Sequence, residues 1–373
     1  MGVAIAPGIH EPALQEPTIH ATKETMRHHP FAGAAGALAT ALMALPAAAQ
    51  DLPKKLEAPK HEYLTEKPSD RKEGLSGLLN VGGQLSISDN RSVLGQTDGM
   101  SFLFGFKLDS TLLYNKGPWE WRTVIGVAGG MARTPLIDEM VKARDFANAD
   151  STLLYHALPW FGPFVRVAAS TTMFRGADVR PVETAYLIQR VDGTVDRVET
   201  QRLTMTDPFR PLTLKESIGP FAQPVTSEAF SMEGRAGVGA RQSFARGQLA
   251  LSDDAATPAV EVQELSDAYQ IGAEASIELW GTLPEKGVSY RLMGEVLIPL
   301  AYSALPTTED RGAFELANLA LVGTLSFKLV EWASIDYELR LVREPLLVDK
   351  LQAQNNLLLS LALAYPEKST EKK

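Results

Sequence analysis

Beyond residue 50 the chain has two histidines, His61 and His156, and they bound its acid–base chemistry. A serine hydrolase needs an imidazole base beside a nucleophilic hydroxyl. His156 is followed by Ala157 and Leu158, with no serine at that spacing, and reads as a structural histidine. His61 sits in a stretch rich in Pro, Lys and Glu, and no second ligand at metal-binding spacing accompanies it. Two acidic pairs, Asp253-Asp254 and Glu309-Asp310, have the chemistry to hold a divalent cation or act as acid and base. Both fall between strand-like segments, where solvated loop charge is the commoner outcome. Gly129-Gly130 and Gly237 with Gly239 make no phosphate cradle, because no helix follows them. Cysteine is absent, which excludes disulfides, thiolate metal sites and a thiol nucleophile. No catalytic, cofactor-binding or metal-binding residue is therefore assigned, no cofactor is expected, and the chain is not read as an enzyme.

The charged residues that stand out do so by period. Lys107, Asp109, Glu120, Arg122, Arg166, Glu274, Glu278, Arg291, Glu295, Asp336, Glu338 and Arg340 alternate with apolar neighbours along extended segments. Phe102, Phe104, Phe106 and Leu108 share one face with Leu112 and Tyr114, opposite Lys107 and Asp109. Ile335, Tyr337, Leu339 and Leu341 alternate with Asp336, Glu338 and Arg340. A helix would scatter these charges; a strand separates them onto one face. The segments run for about 12 to 16 residues, where soluble strands average five or six. A tilted strand needs roughly 9 to 11 to cross a bilayer.

Connections alternate in length. Short ones lie near 115–118, 158–160, 223–227, 282–287 and 329–332. Long ones are expected near 89–99, 135–148, 175–211, 243–258, 303–313 and 344–351. Such alternation fits a closed, antiparallel, up-and-down transmembrane β-barrel of about twelve strands, with short periplasmic turns and longer outer loops. Pro220 and Pro299 fall inside proposed strands and weaken those two assignments. Trp119, Trp121, Trp160, Trp280 and Trp332 all fall beside short turns, as an interfacial aromatic girdle would. In the longest excursion, 185–190 and 195–203 flank Asp192-Gly193, a strong turn signal, and a β-hairpin is expected there.

The N-terminal residues read as an export signal. Met26, Arg27, His28 and His29 form a basic start, Phe31 to Leu45 an apolar run, and Pro46 then Ala47-Ala48-Ala49 a cleavage region before Gln50. The expected organisation is 1–25 as a gene-model extension or disordered, 26–49 as signal peptide, 50–73 as a disordered periplasmic linker, 74–366 as the barrel, and 367–373 as a polar tail. The net charge of −9 comes without any concentrated basic surface, so no nucleic-acid partner is expected.

Residues 75–365 resemble an uncharacterised family of bacterial outer-membrane β-barrels, a domain of unknown function. The resemblance lies in Tyr114-Asn115-Lys116-Gly117-Pro118 restarting at Trp119-Glu120-Trp121, in Phe174-Arg175-Gly176-Ala177-Asp178, and in Leu212-Thr213-Leu214-Lys215 before Gly219-Pro220. Phe327-Lys328-Leu329 with Ser334-Ile335-Asp336-Tyr337 completes it. It implies an outer-membrane location in a Gram-negative envelope and no established activity. Many barrels end on an aromatic residue, whereas here Tyr365 precedes a polar tail. The expected partners are outer-membrane lipid and the barrel assembly machinery during biogenesis. The expected function is a small-solute channel or transporter with a mixed-charge lumen; the alternative is a non-conducting envelope scaffold or binding protein acting through its outer loops. Mixed signs argue against a simple anion or cation pore, which concentrates one sign.

Overall fold

The computed structural model describes residues 73–90, 99–252, 257–305, 311–330 and 333–366. The expected signal peptide, the segments around it, the polar tail, His61, Trp332 and both acidic pairs lie outside the described residues.

Long runs of period-two patterning give long strands. They are β1 (Gly74–Asn90), β2 (Gly99–Lys116), β3 (Trp119–Thr134), β4 (Ile137–Tyr155), β5 (Phe161–Thr171), β6 (Gly176–Gln189), β7 (Val195–Thr206) and β8 (Leu212–Val225). Then follow β9 (Ser231–Phe244), β10 (Leu249–Leu251), β11 (Val260–Glu264), β12 (Ala268–Leu283), β13 (Val288–Tyr302), β14 (Asn318–Val330), β15 (Ala333–Glu344) and β16 (Val348–Pro366). Twelve form a closed ring in the order β1-β16-β15-β14-β13-β12-β9-β8-β5-β4-β3-β2, each antiparallel to its neighbours. The remaining four make a separate sheet, β10-β11-β6-β7, whose β11–β6 pair is parallel. Twelve therefore counts the ring, but the chain has more strands than that.

Two expected long loops are strand instead. Residues 137–148 belong to β4, which turns tightly from β3 and pairs with it along most of its length. Residues 348–351 likewise belong to β16. Their charges made these stretches look like loop, but strands that pass beyond an apolar belt no longer need apolar faces. Pro220 stands inside β8 where its pairing with β9 is interrupted, between Ile218↔Val238 and Phe221↔Arg235, and Pro299 stands inside β13 at a break in register. There the missing N–H costs no ladder bond. At the second break Ile271 pairs with Ala301 and Gly272 with Pro299, leaving Leu300 as the extra residue.

The hairpin at Asp192-Gly193 forms. Gly193 takes φ +86, and the Thr194 N–H and hydroxyl both donate to Asp192 Oδ1, at 3.0 and 2.7 Å. The separate sheet has its own small core of Tyr186, Ile188, Leu203, Val260 and Val262.

The ring is inverted relative to a soluble sandwich. Each of its twelve strands exposes a large apolar side chain outward, among them Val81, Phe106, Trp121, Leu153, Val167, Ile218, Val238, Ile277, Leu292, Leu319, Tyr337 and Leu357. The opposite parity buries charge: Glu120, Arg166, Glu233, Arg241, Glu274, Glu278, Glu295 and Asp336. Burying charge and exposing apolar area is unfavourable in water and natural when the outside is lipid.

Candidate functional site: the ion-paired lumen

Strand parity carries the inward residues, and ring order shows how far each pair reaches. Arg122 on β3 meets Glu233 on β9 at 2.9 Å, four strands away around the ring. Arg166 on β5 meets Glu295 on β13 at 2.9 Å, also four strands away. Arg241 on β9 meets Glu344 on β15 at 3.0 Å, and Arg144 on β4 meets Glu338 on β15 at 2.6 Å. In a twelve-stranded ring, β4 and β15 are five places apart, almost opposite. These contacts are chords drawn across the interior, not rungs along the wall.

The chords gather into clusters. Near the short-turn end, Glu120 pairs with Arg122, and its second oxygen lies 3.0 Å from His156 Nε2. Glu233, almost wholly buried, holds Arg122, Arg235 and the Gln223 amide. His156 stacks edge-on against Phe221 at 4.9 Å. Its side chain is buried between Glu120 and Phe221. Arg291 pairs with Glu278 on the adjacent strand at 2.6 Å. A second cluster centres on Glu295, whose carboxylate takes Arg166, Lys215 at 2.7 Å and Arg241 at 2.8 Å. Asp150 takes Arg166 from the other side at 2.7 Å, and Glu274 lies 3.9 Å from it. Gly239 makes room here: a Cβ on it would stand 2.3 Å from a Glu274 carboxylate oxygen. In a third, Lys107 bridges Asp109 and Glu338, each at 3.0 Å, and Arg144 joins at Glu338.

The structure thus brings ten of the twelve anticipated lumen residues into these clusters and the Arg291–Glu278 pair. Asp336 is buried and accepts from the Ser334 hydroxyl at 3.0 Å, apart from the clusters. Arg340 is exposed. Asp150, Lys215, Glu233, Arg235, Arg241, Glu344 and Arg144 belong to the network and escaped the sequence reading. Parity against a paired neighbour finds them: Arg166 pairs in register with Ser217, which puts Lys215 on the same face.

Trp119, Trp121 and Trp160 are about half exposed at the short-turn end. Trp280 is not with them. It is 2% exposed and lies opposite the inward Arg291. The correction follows from parity, since Trp280 shares a face with Glu274 and Glu278.

The four-stranded sheet stands at the long-loop end. Arg202 of β7 pairs with Glu139 of β4, and Gln263 of β11 donates to the Leu347 carbonyl in the β15–β16 turn at 3.0 Å. β4 and β15 lie nearly opposite, so the sheet spans the mouth. Leu316 and Leu346 pack with Ala268 beneath the adjoining loops.

Such an interior can exclude a hydrated solute, fix the barrel's cross-section, and open if a chord breaks. Among the described residues no group of three or more His, Asp or Glu is placed to hold a metal ion.

No protein-family model and no curated protein matches the chain. Similar solved structures include an outer membrane channel from Pseudomonas putida F1, 9% identical, covering 84% of this chain and 98% of that one, with a TM-score of 0.33. Others are the CymD monoaromatic hydrocarbon channel (10%, 82% and 92%, 0.30) and the β domain of the Bordetella autotransporter BrkA (9%, 79% and 98%, 0.29). Scores this low carry no weight, and the functional reading rests on the chain's own geometry.

Proposed function

We propose that the protein is a bacterial outer-membrane β-barrel of the channel or transporter class, held shut at rest by ion pairs drawn across its lumen. The observation that carries this reading is the combination of a closed ring, apolar on the outside all the way round, with carboxylates and guanidiniums meeting four and five strands apart inside. Lipid suits the outer face, and the half-exposed tryptophans suit a headgroup layer at the short-turn end. Charges buried singly would be costly; paired and hydrogen-bonded, they are tolerable and hold one geometry. A mixed-charge lumen of this kind opens by exchanging partners rather than by losing a hydrophobic plug.

The sheet over the mouth favours a second reading, in which the barrel is a platform and the outer strands bind a partner. Deleting 184–206 separates the two. Transport survives or rises if the sheet is only a cover, and binding is lost if the sheet is the functional surface.

Location and orientation are tested by labelling. The chain has no cysteine, so Thr194→Cys supplies a single thiol in the β6–β7 turn. Intact Gram-negative cells expressing the variant are expected to react with a membrane-impermeant maleimide. Reaction only after the cells are broken contradicts the proposed topology.

A further inference from the structure

One seam of the ring is incomplete. β1 pairs with β2 along all seventeen of its residues, from Gly74↔Asn115 to Asn90↔Gly99. On its other side it pairs with β16 for six, from Leu78↔Pro366 to Gly83↔Leu361. Both strands continue outward from there. β1 runs on to Asn90, and β16, read backwards, runs on to Val348 while paired only with β15. Among the described residues, two backbone edges therefore face each other unpaired in the outer half of the wall. Continuing the register would pair Gln84 with Ser360 and Ser88 with Asn356. An open edge in hydrocarbon costs several kcal/mol per unsatisfied group. The edges must zip, or be covered, whenever lipid alone surrounds them.

A cavity lies where the pairing stops. Its wall includes Gly82, Gly83 and Leu359 at the seam and Phe106, Lys107 and Arg144 beside them. Residues of both faces line it. Lys107 and Arg144 belong to the lumen network, whereas Phe106 and Gly83, which pair with each other, have the outward parity. Gly105, Gly129 and Gly130 leave the same part of the wall thin. The cavity measures about 40 Å3. That is room for a few waters. Arg144 Nε is buried there without a hydrogen-bond partner.

We propose that the β1–β16 seam is a lateral portal that zips and splays, admitting an amphiphile with an anionic head on an apolar tail between the lumen and the outer half of the bilayer. The head meets Lys107 and the unused Arg144 donor, displacing Glu338; the tail lies against Phe106 and Leu359. At rest the chords and the sheet stand across the axial path, and a side opening is the path the wall leaves. The inference rests on the outer-membrane reading above.

Ser88→Cys with Asn356→Cys places the only two cysteines of the chain where the continued register pairs the strands. The full-length variant is reconstituted in liposomes and exposed to a photoreactive long-chain carboxylate or, in a parallel arm, a photoreactive lysophosphatidylglycerol. The readout is labelling of the peptides that carry Lys107 and Arg144. Oxidation is expected to form the disulfide and lower labelling about tenfold, and reduction to restore it. The probe that responds identifies a free acid or a lipid headgroup as the source. Lys107→Ala with Arg144→Ala is expected to cut labelling of that probe without altering disulfide yield. Two cysteines that never cross-link, or labelling equal in oxidised and reduced protein for both probes, overturn the portal. A chain that fails to insert into liposomes at all, remaining extractable at alkaline pH, overturns the membrane reading beneath it.

Discussion

Among the described residues Glu295 gathers three cationic side chains on one carboxylate. Its carboxylate is 1% exposed and receives Arg166, Lys215 and Arg241. Removing one partner of a buried pair leaves the other charges stranded and costs about 3–5 kcal/mol. Glu295→Ala is therefore expected to lower the denaturant midpoint of the folded barrel sharply. Arg340→Ala, at an exposed position, is expected to shift it by no more than about 0.5 kcal/mol. Equal effects from the two would mean that the chords do not support the fold. At this scale the sequence was legible wherever apolar residues marked the opposite face. Ile335, Tyr337 and Leu339 exposed the parity of Asp336 and Glu338. In β9 the outward face is Met232, Gly234, Ala236, Val238 and Ala240, too small to sound an alternation, so Glu233 and Arg241 went unassigned. Trp280 erred the other way. Its nearness to a turn outweighed its parity, yet parity decides which medium a side chain meets.

Among the elements, local signals were readable and non-local ones were not. Asp192-Gly193 forces a turn whatever surrounds it, and the β6–β7 hairpin follows. The parallel docking of β11 on β6 joins Val260 to Tyr186 across more than seventy residues, and nothing local encodes it. Tyr186 is wholly buried in that sheet and its hydroxyl donates to Asp178 at 2.9 Å. Burial, and then the Asp178 carboxylate, push its phenol above the ordinary value. A raised value in the folded state gives stability that is complete below the unfolded value of about 10 and is lost as pH rises through the folded one. Wild-type protein is thus expected to show a late-titrating tyrosinate absorbance that Tyr186→Phe removes. Identical alkaline titrations of the two would show that the phenol is not held in the sheet. Gly239→Val tests the wall in the same spirit. The added side chain displaces the Glu274 carboxylate, and the variant is expected to fold with a lower midpoint than Gly234→Val, where the space is open.

For the molecule as a whole, the ring was legible because length, parity and short turns agree on it, while the state of the lumen was not. Inward charges of both signs fit an open, neutralised path or a closed one. Ring order, which sets Arg144 across from Glu338, favours the closed one. The direct test is single-channel recording of the purified full chain in planar bilayers, beside Glu338→Ala, which releases Arg144 and Lys107 together. The wild-type chain is expected to be electrically quiet or briefly flickering, and the variant to show larger and longer openings. A steady, wide conductance from the wild-type protein, unchanged in Glu338→Ala, would contradict a lumen held shut by its ion pairs.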